Sequence, residues 1–252
     1  MGESWLARVE PKSQARLRLF CFPYAGGRAS IFRAWQANLP PAVEVFPIEF
    51  PGRGMRFAER LHVQLTPLVR EIASEIQPYM DRPFALFGHS MGALVSFELA
   101  RELQSTYGLS PAHLFVSAHR APHLPDTSLP MHTLSDPDLL QRLHGLNGTP
   151  GELLQEPDLM KLTLPIVRAD FSVCETYAYA PGAALTCPIS TFGGWQDVMV
   201  TRDQLEAWGQ HTHASFELHM LPGEHFFLHT AQSLVLRILS QELAQIVAGT
   251  AP

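Results

Sequence analysis

The sequence predicts an α/β fold with a mostly parallel sheet covered by helices on both faces. Three observations lead there. Apolar runs of strand length alternate with segments whose apolar residues recur at helical spacing, the pattern of strand–helix–strand units. A tight turn, Gly88-His89-Ser90-Met91-Gly92, stands between one such run and one such helix. The chain has 252 residues and is 46% hydrophobic, which suits one α/β domain with an insertion, or at most two small domains.

The elements follow in order. Residues 16–22 read as a strand. Residues 31–39 read as a short helix after the glycine-rich turn Ala25-Gly26-Gly27. Residues 43–48 form a second strand, closed by Pro51-Gly52. Residues 65–79 are helical, with Leu65, Leu68, Val69, Ile72 and Ile76 on one face. The central strand is 84–87, and the amphipathic stretch 93–103 follows the turn. Residues 114–117, 189–192 and 216–221 read as further strands. A closing helix over 228–247 carries Val235, Ile238, Leu239, Ile246 and Val247 at helical spacing.

Residues 122–179 break the alternation. No convincing strand occurs there, and helix starts do: Asp136-Pro137 pairs an N-cap type residue with proline, and Thr149-Pro150-Gly151-Glu152 has the shape of a capping box. Leu139, Leu140, Leu143, Leu146, Leu153, Leu154, Leu159, Leu162 and Leu164 supply apolar faces that must be buried on something. The expected division is therefore a core of residues 1–121 and 180–252, with 122–179 as a helical lid over an apolar acyl channel. The plainer alternative is extra core helix.

Composition excludes several classes. A net charge of −6 lacks the basic footprint of nucleic-acid binding. The three cysteines, Cys21, Cys174 and Cys187, are dispersed, without C-x-x-C, so neither a disulfide framework nor a zinc site is expected. A reducing, cytoplasmic setting fits. Residues 1–12 carry charges and no long apolar run, unlike a signal peptide, and no segment has the length of a membrane span.

The glycine-flanked serine carries the chemistry. A strand-to-helix turn projects the Ser90 hydroxyl, small flanking residues let strand and helix approach, and the Met91 N–H falls at a helix start where an oxyanion can be held. The same five-residue pattern also arises by chance; its strand and helix flanks argue for the catalytic reading. Serine needs a general base, and the base an orienting carboxylate. Asp197 follows the strand at 189–192; Asp170, inside a lid helix, and Asp203, at a helix start, are less well placed. His225 follows the last strand through Pro222-Gly223-Glu224; His229 lies within the closing helix. His89 is expected to support the turn or pocket. His211 and His213 form H-x-H without a third ligand at suitable spacing and read as a solvated loop. The second oxyanion donor is expected in Pro23-Tyr24-Ala25-Gly26-Gly27, at the Ala25 N–H, although glycine pairs are also ordinary turn residues.

With these residues laid out, the chain resembles the type II (external, editing) thioesterases of polyketide and nonribosomal peptide synthesis, in the α/β-hydrolase superfamily. The likeness covers nearly the whole chain. It runs through Phe22-Pro23-Tyr24-Ala25-Gly26-Gly27, Phe50-Pro51-Gly52-Arg53, residues 84–99, Ser117-Ala118-His119-Arg120-Ala121-Pro122, Trp208 and Pro222-Gly223-Glu224-His225-Phe226-Phe227. The resemblance implies an α/β-hydrolase with a helical lid, a triad of Ser90, Asp197 and His225, and an oxyanion hole from the backbone of Ala25 and Met91. It implies hydrolysis of stalled or aberrant acyl units from the phosphopantetheine arm of acyl or peptidyl carrier proteins, by a monomer with no cofactor or metal of its own. The chain departs from the family at Gly54 and Met55, where members often carry acid or amide residues; this touches the mouth of the site and not the triad.

Four readings stay open at this point: carrier-protein thioesterase, esterase or lipase for free oxyesters, acyltransferase, and an inert hydrolase fold that only docks onto a synthase. Carrier proteins are usually acidic, so docking on this acidic chain would need a local basic or apolar patch. Arg28, Arg33, Arg53 and Arg56 are candidates, weighed against the favoured reading as ordinary solvated arginines.

Overall fold

A parallel sheet between two helical layers needs strands that are apolar on both sides. The computed structural model describes residues 5–6, 12, 14–146 and 156–249. Six strands form one sheet: β1 (Leu17–Phe22), β2 (Val43–Pro47), β3 (Phe84–His89), β4 (His113–Ser117), β5 (Ile189–Gly194) and β6 (Phe216–Leu221). Their spatial order is β2-β1-β3-β4-β5-β6, and every neighbouring pair is parallel. The α-helices are α1 (Trp35–Asn38), α2 (Leu65–Ile76), α3 (Met91–Glu102), α4 (Asp136–Gly145), α5 (Pro157–Glu175), α6 (Arg202–Glu206), α7 (Phe227–Thr230) and α8 (Gln232–Gly249). The expected α/β class and all six expected strands stand.

Alternation along each strand sorts the side chains. Phe20, Phe22, Leu86, Leu114 and Val116 meet the buried faces of α2 and α3. Leu17, Leu19, Cys21, Phe87 and Phe115 meet Phe32, Trp35 and the apolar side of α7 and α8. Helix α2 buries Leu65, Leu68, Val69, Ile72, Ala73 and Ile76, the stripe that its sequence spacing announces.

Three expected helices are interrupted. The stretch 31–39 becomes a 3-10 turn, Ala29–Phe32, followed by α1. Phe32 and Trp35 must both reach the sheet, and Gln36 bonds the edge strand through Val43 O (3.1 Å) and Val45 N (2.9 Å). Residues 77–79, which contain Pro78, tighten into a 3-10 turn. The closing helix breaks at Ala231, which leaves helical geometry at φ −113° and ψ 26°.

Between β4 and β5 the chain leaves the sheet to form α4 and α5. Met131, Leu139, Leu143, Met160, Leu164 and Val167 make a separate apolar cluster, while Val173, later on α5, joins the main core. The N-cap of α4 is Ser135, whose hydroxyl accepts from Asp138 N; this corrects the expectation of Asp136, which lies in the first turn. Thr149, Glu152, Leu153 and Leu154 lie outside the described residues.

Because all strands are parallel, their C-terminal ends share one rim. From β1 the chain first builds outward to β2 and then returns to place β3 on β1's other side, with Phe22 level with Gly88. That reversal opens a crevice between the loops that follow β1 and β3.

Candidate active site

Ser90 sits at that crevice. Its backbone adopts φ 53° and ψ −116°, sparsely populated for a residue with a side chain. The turn is held from both sides: Ser90 N donates to Ser117 O at 2.8 Å, and Ala93 N donates to Ser90 O at 2.9 Å. The flanking glycines are required by contact. A Cβ on Gly88 would stand 2.0 Å from Gly92 O, and one on Gly92 would stand 2.1 Å from Phe22 O.

The two partners arrive on the rims of β5 and β6. His225 Nε2 lies 3.1 Å from Ser90 Oγ, and its Nδ1 lies 2.9 Å from Asp197 Oδ2. This fixes the tautomer by its bonding: Nδ1–H donates to the carboxylate, leaving Nε2 to accept from the hydroxyl. Asp197 Oδ1 is occupied too, accepting from Met199 N at 2.8 Å and Val200 N at 3.2 Å. The carboxylate is fully enclosed and His225 nearly so. Gln196 ties the two loops together by accepting from Gly223 N at 2.6 Å and donating its own N–H to Gly223 O at 3.0 Å. Residues far apart in sequence thus form one hydrogen-bonded series of hydroxyl, imidazole and carboxylate.

Met91 is the first residue of α3, with its N–H at the helix start. Ala25 lines the cleft over Ser90, together with Tyr24, Leu143, Leu146, Phe171, Met199, His225 and Phe226. The clear space is small, about 40 Å³. A groove of about 420 Å³ beside Glu98, Arg101 and Tyr177 is larger, but none of the residues above lines it. Chemistry rather than size picks out the cleft.

The supporting residues are only partly those expected. His89 is buried under the turn and bonds Ser117 Oγ through Nδ1 at 2.8 Å. Burial, reinforced by His225 and His229 nearby, pushes its pKa well down, so the ring is neutral. His229 is not in the series: its Nε2 meets the Tyr24 hydroxyl at 2.9 Å. The Tyr24 ring packs edge-on against His89 and Phe226. In the sequence, nothing but adjacency to Ala25 and His225 signals a role for Tyr24 and Phe226.

Two expectations are corrected. His211 is not a solvated loop residue. It is buried against Phe97 and Trp208 and bonds His123 at 2.7 Å, while His213 is exposed. Arg53 and Arg56 are not solvated either, at 4% and 2% exposure. Arg53 forms a two-pronged pair with Asp170, and Arg56 stacks on Trp5 and pairs with Glu59. Arg28 and Arg33 are exposed as expected. The rival acids are engaged elsewhere, Asp170 with Arg53 and Asp203 in the first turn of α6.

Comparison with known proteins follows the geometry. A model of the thioesterase domain family matches residues 17–243. A Brevibacillus parabrevis protein named linear gramicidin dehydrogenase LgrE is 46% identical over 97% of this chain and 94% of its own length. Its name speaks of an oxidoreductase, yet the present sequence contains no G-x-G-x-x-G dinucleotide fingerprint. Among solved structures, the thioesterase RedJ from the prodiginine pathway of Streptomyces coelicolor is 40% identical. It superposes with a TM-score of 0.87 over 94% of this chain and 90% of its own. The type II thioesterase BorB from the borrelidin biosynthetic cluster is 35% identical, with a TM-score of 0.87 over 98% of this chain and all of its own.

Proposed function

Because the chain belongs to the thioesterase domain family, we propose that it is a type II editing enzyme of polyketide or nonribosomal peptide synthesis working through an acyl-enzyme on Ser90. It hydrolyses acyl thioesters held on the phosphopantetheine arm of acyl or peptidyl carrier proteins, and so clears aberrant or stalled units. The observation that supports the mechanism best is the series Ser90–His225–Asp197, with separations of 3.1 and 2.9 Å.

The reaction has two halves. His225 Nε2 takes the Ser90 proton as Oγ attacks the thioester carbonyl, and the oxyanion settles on the N–H groups of Ala25 and Met91. The C–S bond breaks, the imidazolium gives its proton to the leaving thiolate, and the acyl group stays on Ser90. His225 then takes a proton from water, the resulting hydroxide attacks the ester, and the proton returns to Ser90 Oγ as the acid leaves. Asp197 keeps Nδ1 protonated and stabilises the transient imidazolium. No resident cofactor or metal enters this scheme; the pantetheine arm comes with the substrate.

The carrier partner would approach the rim where Trp195, Val198 and Met199 are exposed around Asp197. A monomer in the cytoplasm is the expected setting. No described helix is long and apolar enough to cross a membrane, and all three cysteines are free.

A substrate panel tests the reading: a carrier protein loaded with short, medium and long acyl groups, beside the matching coenzyme A thioesters and simple aryl esters. We expect kcat/KM for carrier-bound thioesters to exceed that of the other two sets by about 10-fold or more. Equal or better turnover of the aryl esters would favour an esterase, and acyl transfer to an alcohol or amine in place of water would favour an acyltransferase.

A further inference from the structure

Asp170 stands on α5 immediately before Phe171, a wall of the cleft over Ser90. It is a carboxylate in the interior, 5% exposed. Its Oδ1 accepts from Arg53 Nη2 at 2.7 Å. Its Oδ2 accepts from Arg53 Nη1 at 2.8 Å and from the backbone N–H of Gly26 at 2.7 Å. Arg53 Nη1 also donates to Gly27 O at 3.0 Å. Three segments meet here: the loop after β1, the loop after β2 and the helix that crosses above the cleft. Val167, one turn earlier on α5, packs on the same loop, 3.0 Å from where a Gly26 Cβ would stand.

An apolar pair of similar size would serve stability as well or better, because removing two charges from water is costly. What this pair supplies is direction. A planar fork and a carboxylate have fixed approach angles. Here they hold two polar groups of the backbone that follows Ala25: the N–H of Gly26 and the C=O of Gly27.

The geometry points to Asp170 as a positioning residue for the reaction, with Arg53 as its partner. Seated α5 holds the loop Ala25-Gly26-Gly27 in the setting that the oxyanion needs. The inference rests on the proposed serine mechanism, in which Ser90 is the acylated nucleophile and Ala25 N–H an oxyanion donor. Its consequence is that the lid helix and the donor loop act as one unit: α5 cannot lift without releasing Gly26 and stranding Arg53.

The test uses the full chain, with concentrations set by active-site titration. Asp170→Asn keeps the shape but turns an amide N–H₂ toward Arg53. Arg53→Lys keeps the charge but loses the fork. Each is assayed with a short acyl thioester and with the trifluoromethyl ketone of the same acyl group. Addition of Ser90 Oγ to that ketone passes the proton to His225 and leaves an alkoxide in the oxyanion site. For each variant we expect kcat to fall about 10–100-fold with KM changed less than about threefold. Ketone affinity should fall in parallel, and the pH profile should stay where wild type has it. The double variant should be no worse than the weaker single one, since both act through one clasp. Should Asp170→Asn fail to fold, Arg53→Lys carries the same readout. Normal kcat per titrated site with a lowered melting temperature would reduce the pair to a structural one and overturn the proposal, as would a loss of kcat with unchanged ketone affinity. Failure of the underlying reading looks different: Ser90→Ala would then retain turnover whatever Asp170→Asn does.

Discussion

At the scale of single residues, the backbone of Ser90 is strained at φ 53° and ψ −116°, which costs about 1–3 kcal/mol and persists only where the surroundings impose it. They do so through contacts too close for a side chain. Gly92→Ala would drive a methyl group to 2.1 Å from Phe22 O, the carbonyl just before the loop that carries Ala25. We expect a loss of about 2–4 kcal/mol, read as a melting temperature lowered by about 5–15 °C. A melting temperature within about 2 °C of wild type would show that the turn has slack. This steric demand is why Gly88, Ser90 and Gly92 were readable from sequence: the chemistry dictates both residue type and spacing. Asp197 and His225 could be placed because each lies in the loop that follows a late strand, β5 or β6. Arg53 and His211 were not, because whether a polar side chain is buried depends on what folds over it. For Arg53 that is Asp170, which lies 117 residues away, and for His211 it is His123, 88 residues away.

At the scale of elements, the strands were legible because burial on both faces demands continuous apolar runs. The helices were legible in existence but not in continuity: α1 is shortened by the need to bury Phe32 and Trp35 together, and α8 starts afresh after Ala231. Helices α4 and α5 bring Leu143, Leu146 and Phe171 over Ser90, leaving about 40 Å³ clear. If these side chains gauge the acyl group, Phe171→Ala should shift the preference toward longer chains. We expect the long-to-short ratio of kcat/KM to rise about 10-fold, as about one to three kcal/mol of discrimination by pocket shape allows. Measurement on carrier-bound acyl groups of graded length checks it. An unchanged ratio would place the acyl chain elsewhere.

At the scale of the whole molecule, buried neutral histidines couple folding to acidity. Burial lowers His113, His119 and His211 to about 4 each. Glu242 partly opposes this at His113, Arg120 reinforces it at His119, and His123 and Arg101 reinforce it at His211. The unfolded chain, whose histidines titrate near 6.5, binds more protons than the native state below that pH. Stability from these groups is therefore complete above about pH 6.5 and is lost as the pH falls toward 4. Burial works to raise the Glu242 carboxyl, but hydrogen bonds from His219 and Ser190 outweigh it and hold the group below its usual range. Its protonation extends the loss at still lower pH. The urea midpoint should be level from about pH 7 to 8 and fall steadily from about 6.5 to 4. A midpoint that stays level or rises on acidification would contradict the assignment.

The sheet's reversal between β2 and β3 brings Ala25 and Ser90 together, and because every strand ends on the same rim the loops after β5 and β6 add Asp197 and His225 to the series. If the acyl group is carried on this serine, mass spectrometry of the protein quenched during turnover of an acyl-loaded carrier reads it directly. One acyl group is expected on the peptide containing Ser90, accumulating in His225→Ala only at a rate lowered by about 10⁴-fold or more and absent in Ser90→Ala, which should lose turnover to the same degree. An acyl group on another residue, or a Ser90→Ala enzyme that still turns over near the wild-type rate, would contradict this mechanism.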